Sequence, residues 1–329
     1  MKTIRWGIIG CGDVTEVKSG PGFQKADHSQ LVAVMRRNGH LAKDYAERHG
    51  VPRSYDDASA LIHDPEVDAV YIATPPSSHK QYAMMTAQAG KPVYVEKPMA
   101  LNFGECEEMI QTCGSAGVPL LVAYYRRALP RFLKIKELIE AGAIGEVRFV
   151  NVTLYQPTAP EDLSSEVPWR VVPEIAGGGR FVDLASHTLD FLDYALGPIE
   201  EAKGQASNQA GNYNAEDIVT GTFRFQSGVH GTGAWCFSAY DKSDLTEIVG
   251  SKGRITFSTF DATPVKLITV KETIDYTFDY PQHIAQPLIQ TVVNELIGVG
   301  RCPSIGESAA RTSWVMDQIA QGISGGPVS

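Results

Sequence analysis

The sequence predicts an α/β chain in two parts, a parallel sheet covered on both faces by helices and then an α+β part built on a large, mostly antiparallel sheet. Two observations lead there. Up to about residue 120, short and uniformly apolar runs alternate with longer segments of helical period, as when crossover helices bury both faces of each strand. Beyond that point the runs lengthen, and apolar and polar residues alternate, the period of strands with one covered face.

In the first part the apolar runs Ile4–Ile9, Leu31–Met35, Ala69–Ala73, Pro92–Val95 and Leu120–Ala123 read as strands. Helical period fits Leu41–Arg48, Lys80–Ala89 and Glu105–Ala116, and it places Cys106 and Cys113, seven apart, on a core-facing stripe. In the second part a helix over Pro130–Ala141 leads into strands at Val147–Tyr155, Val219–Phe225, Val229–Phe237 and Arg254–Ser258. One helix follows the Gly177–Gly179 run, over Asp183–Leu196, and another covers Ala285–Val299. The change of texture divides the chain into domains 1–122 and 123–329, with no Pro- or Ser-rich linker at the junction.

A chain of 329 residues is long enough for about two domains, and 43% hydrophobic with 20% charged residues is the composition of a globular protein. Lys and Arg number 29 against 38 Asp and Glu, a formal net charge of −9 that repels nucleic acid backbones. Five cysteines without CxxC spacing indicate neither a disulfide framework nor a zinc site, and no metal is expected. No run approaches the roughly 18 apolar residues of a membrane span. The apolar run Ile4–Ile9 passes straight into a glycine turn and leaves no room for a leader, so the expected location is the cytoplasm.

That turn reads Gly7-Ile8-Ile9-Gly10-Cys11-Gly12-Asp13-Val14. At the end of a first strand it is the place where a dinucleotide-binding Rossmann fold seats a pyrophosphate, with Gly10 and Gly12 letting the backbone turn and approach the phosphates. The third small position of the fingerprint is Thr15, and Gly20-Pro21-Gly22 interrupts the helix expected to follow. Cys11 is a candidate for reaction with thiol reagents. The second strand ends Val34-Met35-Arg36-Arg37-Asn38, with arginine where a carboxylate would bind a free ribose 2′-hydroxyl. A guanidinium pairs with a 2′-phosphate that a carboxylate would repel, so NADP(H) is the expected cofactor, with NAD(H) as the other possibility.

Three further stretches accompany the turn: Ala73-Thr74-Pro75-Pro76-Ser77-Ser78-His79, Glu96-Lys97-Pro98, and Gly177-Gly178-Gly179 leading to Asp183-Leu184-Ala185-Ser186-His187. Together they resemble the glucose–fructose oxidoreductase/inositol dehydrogenase family, densely from Gly7 to Gly145 and thinly after Gly197. The resemblance implies an N-terminal Rossmann domain, a C-terminal domain whose open sheet packs against a second subunit in a dimer or tetramer, a nicotinamide cofactor and a sugar- or polyol-like substrate. It places Thr74, Pro75 and His79 on the cofactor side and Glu96 near the nicotinamide. It makes Lys97 the active-site lysine, with a cis peptide before Pro98.

Chemistry supports several of these roles. A partly desolvated Lys97 at a strand's carboxyl end can donate to a substrate oxygen as charge builds on it. Asp183 and His187, four apart, share one helix face. On the expected helix Leu184, Phe191, Leu192 and Ala195 form the buried stripe and the polar pair faces away from it. There His187 can exchange a proton with a hydroxyl, and Asp183 can bind substrate hydroxyls or bias the imidazole. Trp169 and Arg170 match a pair near the family's pocket and suit a polyhydroxylated ring. The segment Tyr124-Tyr125-Arg126-Arg127 looks like the family's, with Tyr125 and Arg127 as substrate-side residues. The spacing from Trp169 to His187 is most similar to 1,5-anhydrofructose reductases and dihydrodiol dehydrogenases. The expected activity is hydride transfer between NADP(H) and a sugar-, polyol- or anhydro-sugar-like carbonyl or hydroxyl. The alternatives are a non-catalytic NADP-binding sensor and a nicotinamide-dependent glycosidase.

Overall fold

The computed structural model describes residues 2–321. They form two compact units, one of residues up to 129 with 280–310, the other of 130–279 with the residues from 311 onward.

In the first unit six strands, β1 (Ile4–Ile9), β2 (Ser29–Met35), β3 (Arg53–Tyr55), β4 (Ala69–Ile72), β5 (Val93–Val95) and β6 (Leu120–Val122), form a sheet in the order β3-β2-β1-β4-β5-β6. All its pairings are parallel. The crossovers are α1 (Asp13–Val17), α2 (Gly20–Lys25), α3 (Gly39–His49), α4 (Ala58–His63), α5 (His79–Gln88) and α6 (Phe103–Ala116). The interruption read at Gly20-Pro21-Gly22 is a real break: α1 stops at Val17, and α2 starts afresh with proline in its first turn, where no N–H is needed. Asn38, Asp57 and Asn102 cap α3, α4 and α6 by accepting backbone N–H bonds.

Because both faces of this sheet are covered, side chains alternate between two cores. Ile9, Val70, Ile72, Val93 and Val95 belong to one, with Cys106 and Cys113 of α6. Trp6, Ile8, Tyr71 and Tyr94 belong to the other, where Trp6 packs 4.8 Å from Phe23 and Tyr71 stacks on Tyr94 at 5.0 Å. The second core also takes Leu288, Ile289, Val292 and Val293 of a late helix, Gln286–Leu296. A contiguous division at residue 122 therefore does not describe the molecule: residues 280–310 belong to the first unit, drawn there by this apolar stripe.

At the rim of this unit Glu16 accepts from Arg48 at 2.8 and 2.9 Å and contacts His49 at 2.7 Å. The Arg48 guanidinium is the main reason its carboxyl titrates at about 2, below the usual 4.5. A depressed carboxylate stabilises the fold above its unfolded pKa, and that contribution is lost as pH falls from about 4.5 toward 2. Replacing Arg48 by Met is expected to lower stability at pH 7, to leave it nearly unchanged near pH 2, and so to flatten its fall between about pH 4.5 and 2, as denaturant unfolding followed by circular dichroism at each pH would show.

The second unit begins with α7 (Pro130–Glu140) and β7 (Val147–Tyr155). Next come α8 (Pro173–Ala176), α9 (Arg180–Leu196), β8 (Ile199–Ser207), β9 (Ile218–Phe225), β10 (His230–Cys236), β11 (Ser243–Gly250), β12 (Gly253–Phe257), β13 (Val265–Thr269) and β14 (Thr273–Tyr276). Taking Gln286–Leu296 of the first unit as α10, the last helix is α11 (Gly306–Ala320). The sheet order is β14-β13-β12-β11-β7-β10-β9-β8, antiparallel except where β7 pairs with β10. Its inner face meets Phe132 of α7 and Phe191 of α9, whose rings lie 4.8 Å apart with Phe257 edge-on to both. The α/β class and the change from parallel to mostly antiparallel sheet are as the sequence predicts.

Candidate active site

In the first unit the chain leaves β1 through Gly10, whose φ of +93° only glycine adopts readily. A Cβ there would also sit 2.8 Å from Thr74 Cγ2 and 2.9 Å from the Ala73 carbonyl carbon, so the β1 and β4 loops touch at this point. The N–H groups of Gly10 and Cys11 both donate to the Met35 carbonyl, folding the turn over the end of β2. Gly12 differs: a Cβ on it would meet nothing within 4 Å. No protein packing demands glycine there, and the open space beside its backbone is a cradle for a ligand. Thr74 Oγ1, on the facing loop, is buried without a protein partner. Since β1 and β4 are neighbours at the point where the strand order reverses, both features flank the crevice where open α/β sheets bind nucleotides. The residues present thus fit a dinucleotide.

Around this crevice the predicted residues separate. Asp13 and Val14 open α1, Asp13 exposed and Val14 half-buried. Thr15, at the third small position, is buried, its hydroxyl donating to the Gly12 carbonyl at 2.7 Å. Arg36 and Arg37 are exposed past β2, and the Arg36 guanidinium reaches the Cys11 carbonyl at 3.5 Å, across the glycine turn. Gly7, expected on the cofactor side, is instead buried within β1, where a Cβ would strike Leu61 at 2.6 Å. Cys11 is 1% exposed and burial raises its thiol to about 11, so the expected reactivity toward thiol reagents does not follow.

The Lys97–Pro98 peptide is cis. Glu96 accepts from the Tyr71 hydroxyl and, at 3.1 Å, from the Lys97 backbone N–H; burial nevertheless raises its carboxyl pKa. Lys97 and Pro75 are half-buried. His79, expected to lie along the cofactor, is fully buried and can act on it only through other groups. Tyr125 lies under the Arg126 guanidinium at 5.0 Å in a 3-10 turn. Arg127, expected on the substrate side, is 3% exposed and donates to the Pro303 carbonyl at 2.8 Å, a bond that ties this turn to the returning segment of the first unit.

In the second unit the glycine run ends at the start of α9. Gly179 donates its N–H to Glu216 Oε1 at 2.9 Å, and a Cβ on it would meet Ala215 at 2.7 Å. At the first helical position Arg180 forms a two-pronged pair with the buried Asp162, at 2.9 and 2.6 Å, which anchors the Pro160–Leu163 turn to the helix. One turn on, half-buried Asp183 stands 3.6 Å from Arg170 Nε, and the same guanidinium lies over the Trp169 ring at 4.5 Å. Trp169, Arg170 and Asp183 therefore form one array, with an apolar face, a fan of donors and a carboxylate.

His187 departs from the expectation of a polar pair facing away from the core. It is 4% exposed, while Leu184, expected in the buried stripe, is only half-buried. The α9 helix is enclosed over most of its circumference, and Phe260 lies edge-on to the imidazole at 5.8 Å. The Phe260 loop is held firmly: Asp244 accepts from the N–H groups of Thr259 and Phe260, at 3.1 and 2.7 Å. Arg131 donates to the carbonyls of Ser258, Asp261 and Thr263. Sequence reading missed Glu216 and Phe260 because both lie in loops without periodicity or motif. A groove of about 740 Å³ on this unit, lined by Glu201, Arg224, His230 and Trp314, contains none of the predicted residues.

Among the described residues no cluster of His, Cys, Asp and Glu could hold a metal ion. No helix there is long and apolar enough to cross a membrane.

The parallel sheet with an open glycine turn at its reversal point defines a dinucleotide-binding class of fold. The profile of the oxidoreductase family with an NAD-binding Rossmann fold matches residues 4–124, and that of the GFO/IDH/MocA C-terminal domain matches 132–256. Oxidoreductase P35 of Formosa agariphila is 41% identical over 95% of this chain and 97% of its own. The mouse trans-1,2-dihydrobenzene-1,2-diol dehydrogenase is 31% identical over 76% of this chain and 73% of its own. A solved aldose-aldose oxidoreductase of Caulobacter crescentus superposes with a TM-score of 0.86 at 24% identity, covering 97% of this chain and 96% of that one. The chain belongs to the glucose–fructose oxidoreductase/inositol dehydrogenase family and is an oxidoreductase with an NAD-binding Rossmann fold.

Proposed function

We propose that the protein is an NADP(H)-preferring dehydrogenase or reductase acting on a sugar-, polyol- or anhydro-sugar-like alcohol or carbonyl. The Trp169–Arg170–Asp183 array carries the substrate reading. A stacked indole offers CH contacts to a ring, and the neighbouring guanidinium and carboxylate complement vicinal hydroxyls as donor and acceptor. The mouse relative, named for a dihydrodiol, supports a substrate of that kind. Arg36 beside the glycine turn supports the choice of NADP(H).

When bound, the nicotinamide supplies or accepts a hydride at the substrate carbon. Gly10, Gly12, Asp13 and Val14 would line its pyrophosphate, and Thr74 Oγ1 would find its missing partner there. Lys97 stabilises the negative charge that grows on the substrate oxygen during reduction. His187 exchanges the proton that balances the hydride, and Asp183 binds a substrate hydroxyl, its own position set by Arg170.

The test is loss of NADPH absorbance against a panel of anhydro-ketoses, ketoses, dicarbonyls and inosose-like ketones, with NADH in parallel. Turnover with one class, faster with NADPH, supports the reading. Tight NADPH binding with no turnover favours the sensor alternative, and cleavage of glycosides without net redox change favours the glycosidase.

We further propose a homo-oligomer formed through the outer face of the second unit's sheet, where Phe149 and Leu245 are 44% and 39% exposed on the paired strands β7 and β11. Light scattering is expected to give a dimer or tetramer that Phe149→Lys with Leu245→Lys converts to monomer. We place the protein in a reducing compartment such as the cytoplasm, on five cysteines that are all free thiols.

A further inference from the structure

His79 starts α5 directly after the 3-10 turn Pro76–Ser78 and is 0% exposed. Its ring lies between two backbone carbonyls, Nδ1 3.0 Å from that of Pro98 and Nε2 2.7 Å from that of Thr74. The first carbonyl follows Lys97 and the cis peptide; the second belongs to Thr74, whose hydroxyl is buried without a protein partner. The sheet explains why one ring reaches both. Strands β4 and β5 are parallel neighbours with Ile72 opposite Val95, so the loops leaving them, 73–78 and 96–100, emerge side by side.

We infer that His79 is a positioning residue, a cross-brace that holds the Thr74 loop and the Lys97–Pro98 loop in one register. The inference rests on the role proposed for Lys97. Carbonyl oxygens only accept, so each contact is strongest when the ring presents an N–H to it. A neutral imidazole has one N–H and an imidazolium has two. Burial opposes the second proton and lowers the histidine's pKa, while the carbonyls of Thr74, Pro98 and Met99 and the Glu105 carboxylate on α6 favour it. Lys80, the next residue on α5, pairs with Glu105 at 3.3 Å and moderates that carboxylate. In either state the ring bridges two loops whose strands pair side by side below them. Loss of the brace lets the ammonium drift from the cofactor edge, and misplacement of about 1 Å costs on the order of a hundredfold in rate.

Amide substitutes separate the two arms. The side-chain nitrogen of Gln falls near the position of Nε2 and that of Asn near Nδ1, so His79→Gln keeps the bond to Thr74 and His79→Asn the bond to Pro98. Amide hydrogen exchange over 74–79 and 96–100 reads the brace without cofactor or substrate. Relative to wild type, His79→Ala is expected to speed exchange about tenfold in both segments. His79→Gln restores the first segment only, and His79→Asn the second only. In activity, His79→Gln is expected to keep NADPH affinity within about threefold while kcat falls, and His79→Asn to do the reverse. Unchanged exchange in His79→Ala would overturn the inference, as would Gln and Asn variants that both behave like Ala. A wild-type protein that turns over no substrate would sink the proposed function while the exchange pattern still decided the brace.

Discussion

Arg36→Asp is expected to weaken NADPH binding by about a hundredfold and to leave NADH within about threefold. The guanidinium stands past the end of β2 and reaches the Cys11 carbonyl, on the side of the glycine turn where the adenosine ribose lies in this fold. A two-pronged guanidinium–phosphate contact is worth about 1.5–3 kcal/mol, and reversing the charge adds repulsion of a dianion. A hundredfold corresponds to about 2.7 kcal/mol, within what one such contact supplies. Aspartate also supplies the acceptor that a free 2′-hydroxyl prefers, which holds NADH near its original affinity. Titration by cofactor fluorescence measures both constants. Equal loss for the two cofactors would remove Arg36 from the 2′-phosphate site and leave Arg37 to be tested.

Lys97→Ala is expected to reduce kcat by about 10²–10³-fold with the NADPH dissociation constant changed less than about threefold. Removing one preorganised donor to a developing oxyanion typically costs that much. The backbone around Lys97 has partners of its own: its N–H donates to Glu96, and the Pro98 carbonyl lies 3.0 Å from His79 Nδ1. Truncation therefore removes an ammonium without freeing the loop. Lys97→Arg keeps the charge but spreads it over a planar group of different reach, and is expected to recover only part of the rate. Single-turnover kinetics separate the chemical step from product release, and an unchanged chemical step in Lys97→Ala would exclude the role.

Much of this molecule is legible locally. Strands at Ile4–Ile9 and Val147–Tyr155 appear where period and composition predict them, since an apolar run and an alternating run each have one stable placement in a sheet. The cis Lys97–Pro98 peptide follows from the family motif. Other elements leave no local trace. Strand β8, Ile199–Ser207, is largely polar and is a strand because β9 pairs with it from Glu201 to Ser207 and, past an irregularity at Glu200, at Ile199. Strand β3 has three residues, too few for any period to register. Arg127 and Gly7 carry motif-like contexts, yet Arg127 donates to the distant Pro303 carbonyl and Gly7 packs against Leu61, contacts that no local pattern announces.

By itself the sequence determined the class of each sheet, the glycine turn, the motif lysine and the shared face of Asp183 and His187, because these depend on residues within a few positions of one another. Only the tertiary structure decided that residues 280–310 return to the first unit, that His187 is enclosed against Phe260, and that His79 is buried between the carbonyls of Thr74 and Pro98. An apolar stripe such as Leu288–Val293 states that a helix needs a partner but not which one. A histidine's chemistry likewise depends on which carbonyls and rings reach it from distant positions, and the packing of strands and helices alone supplies them.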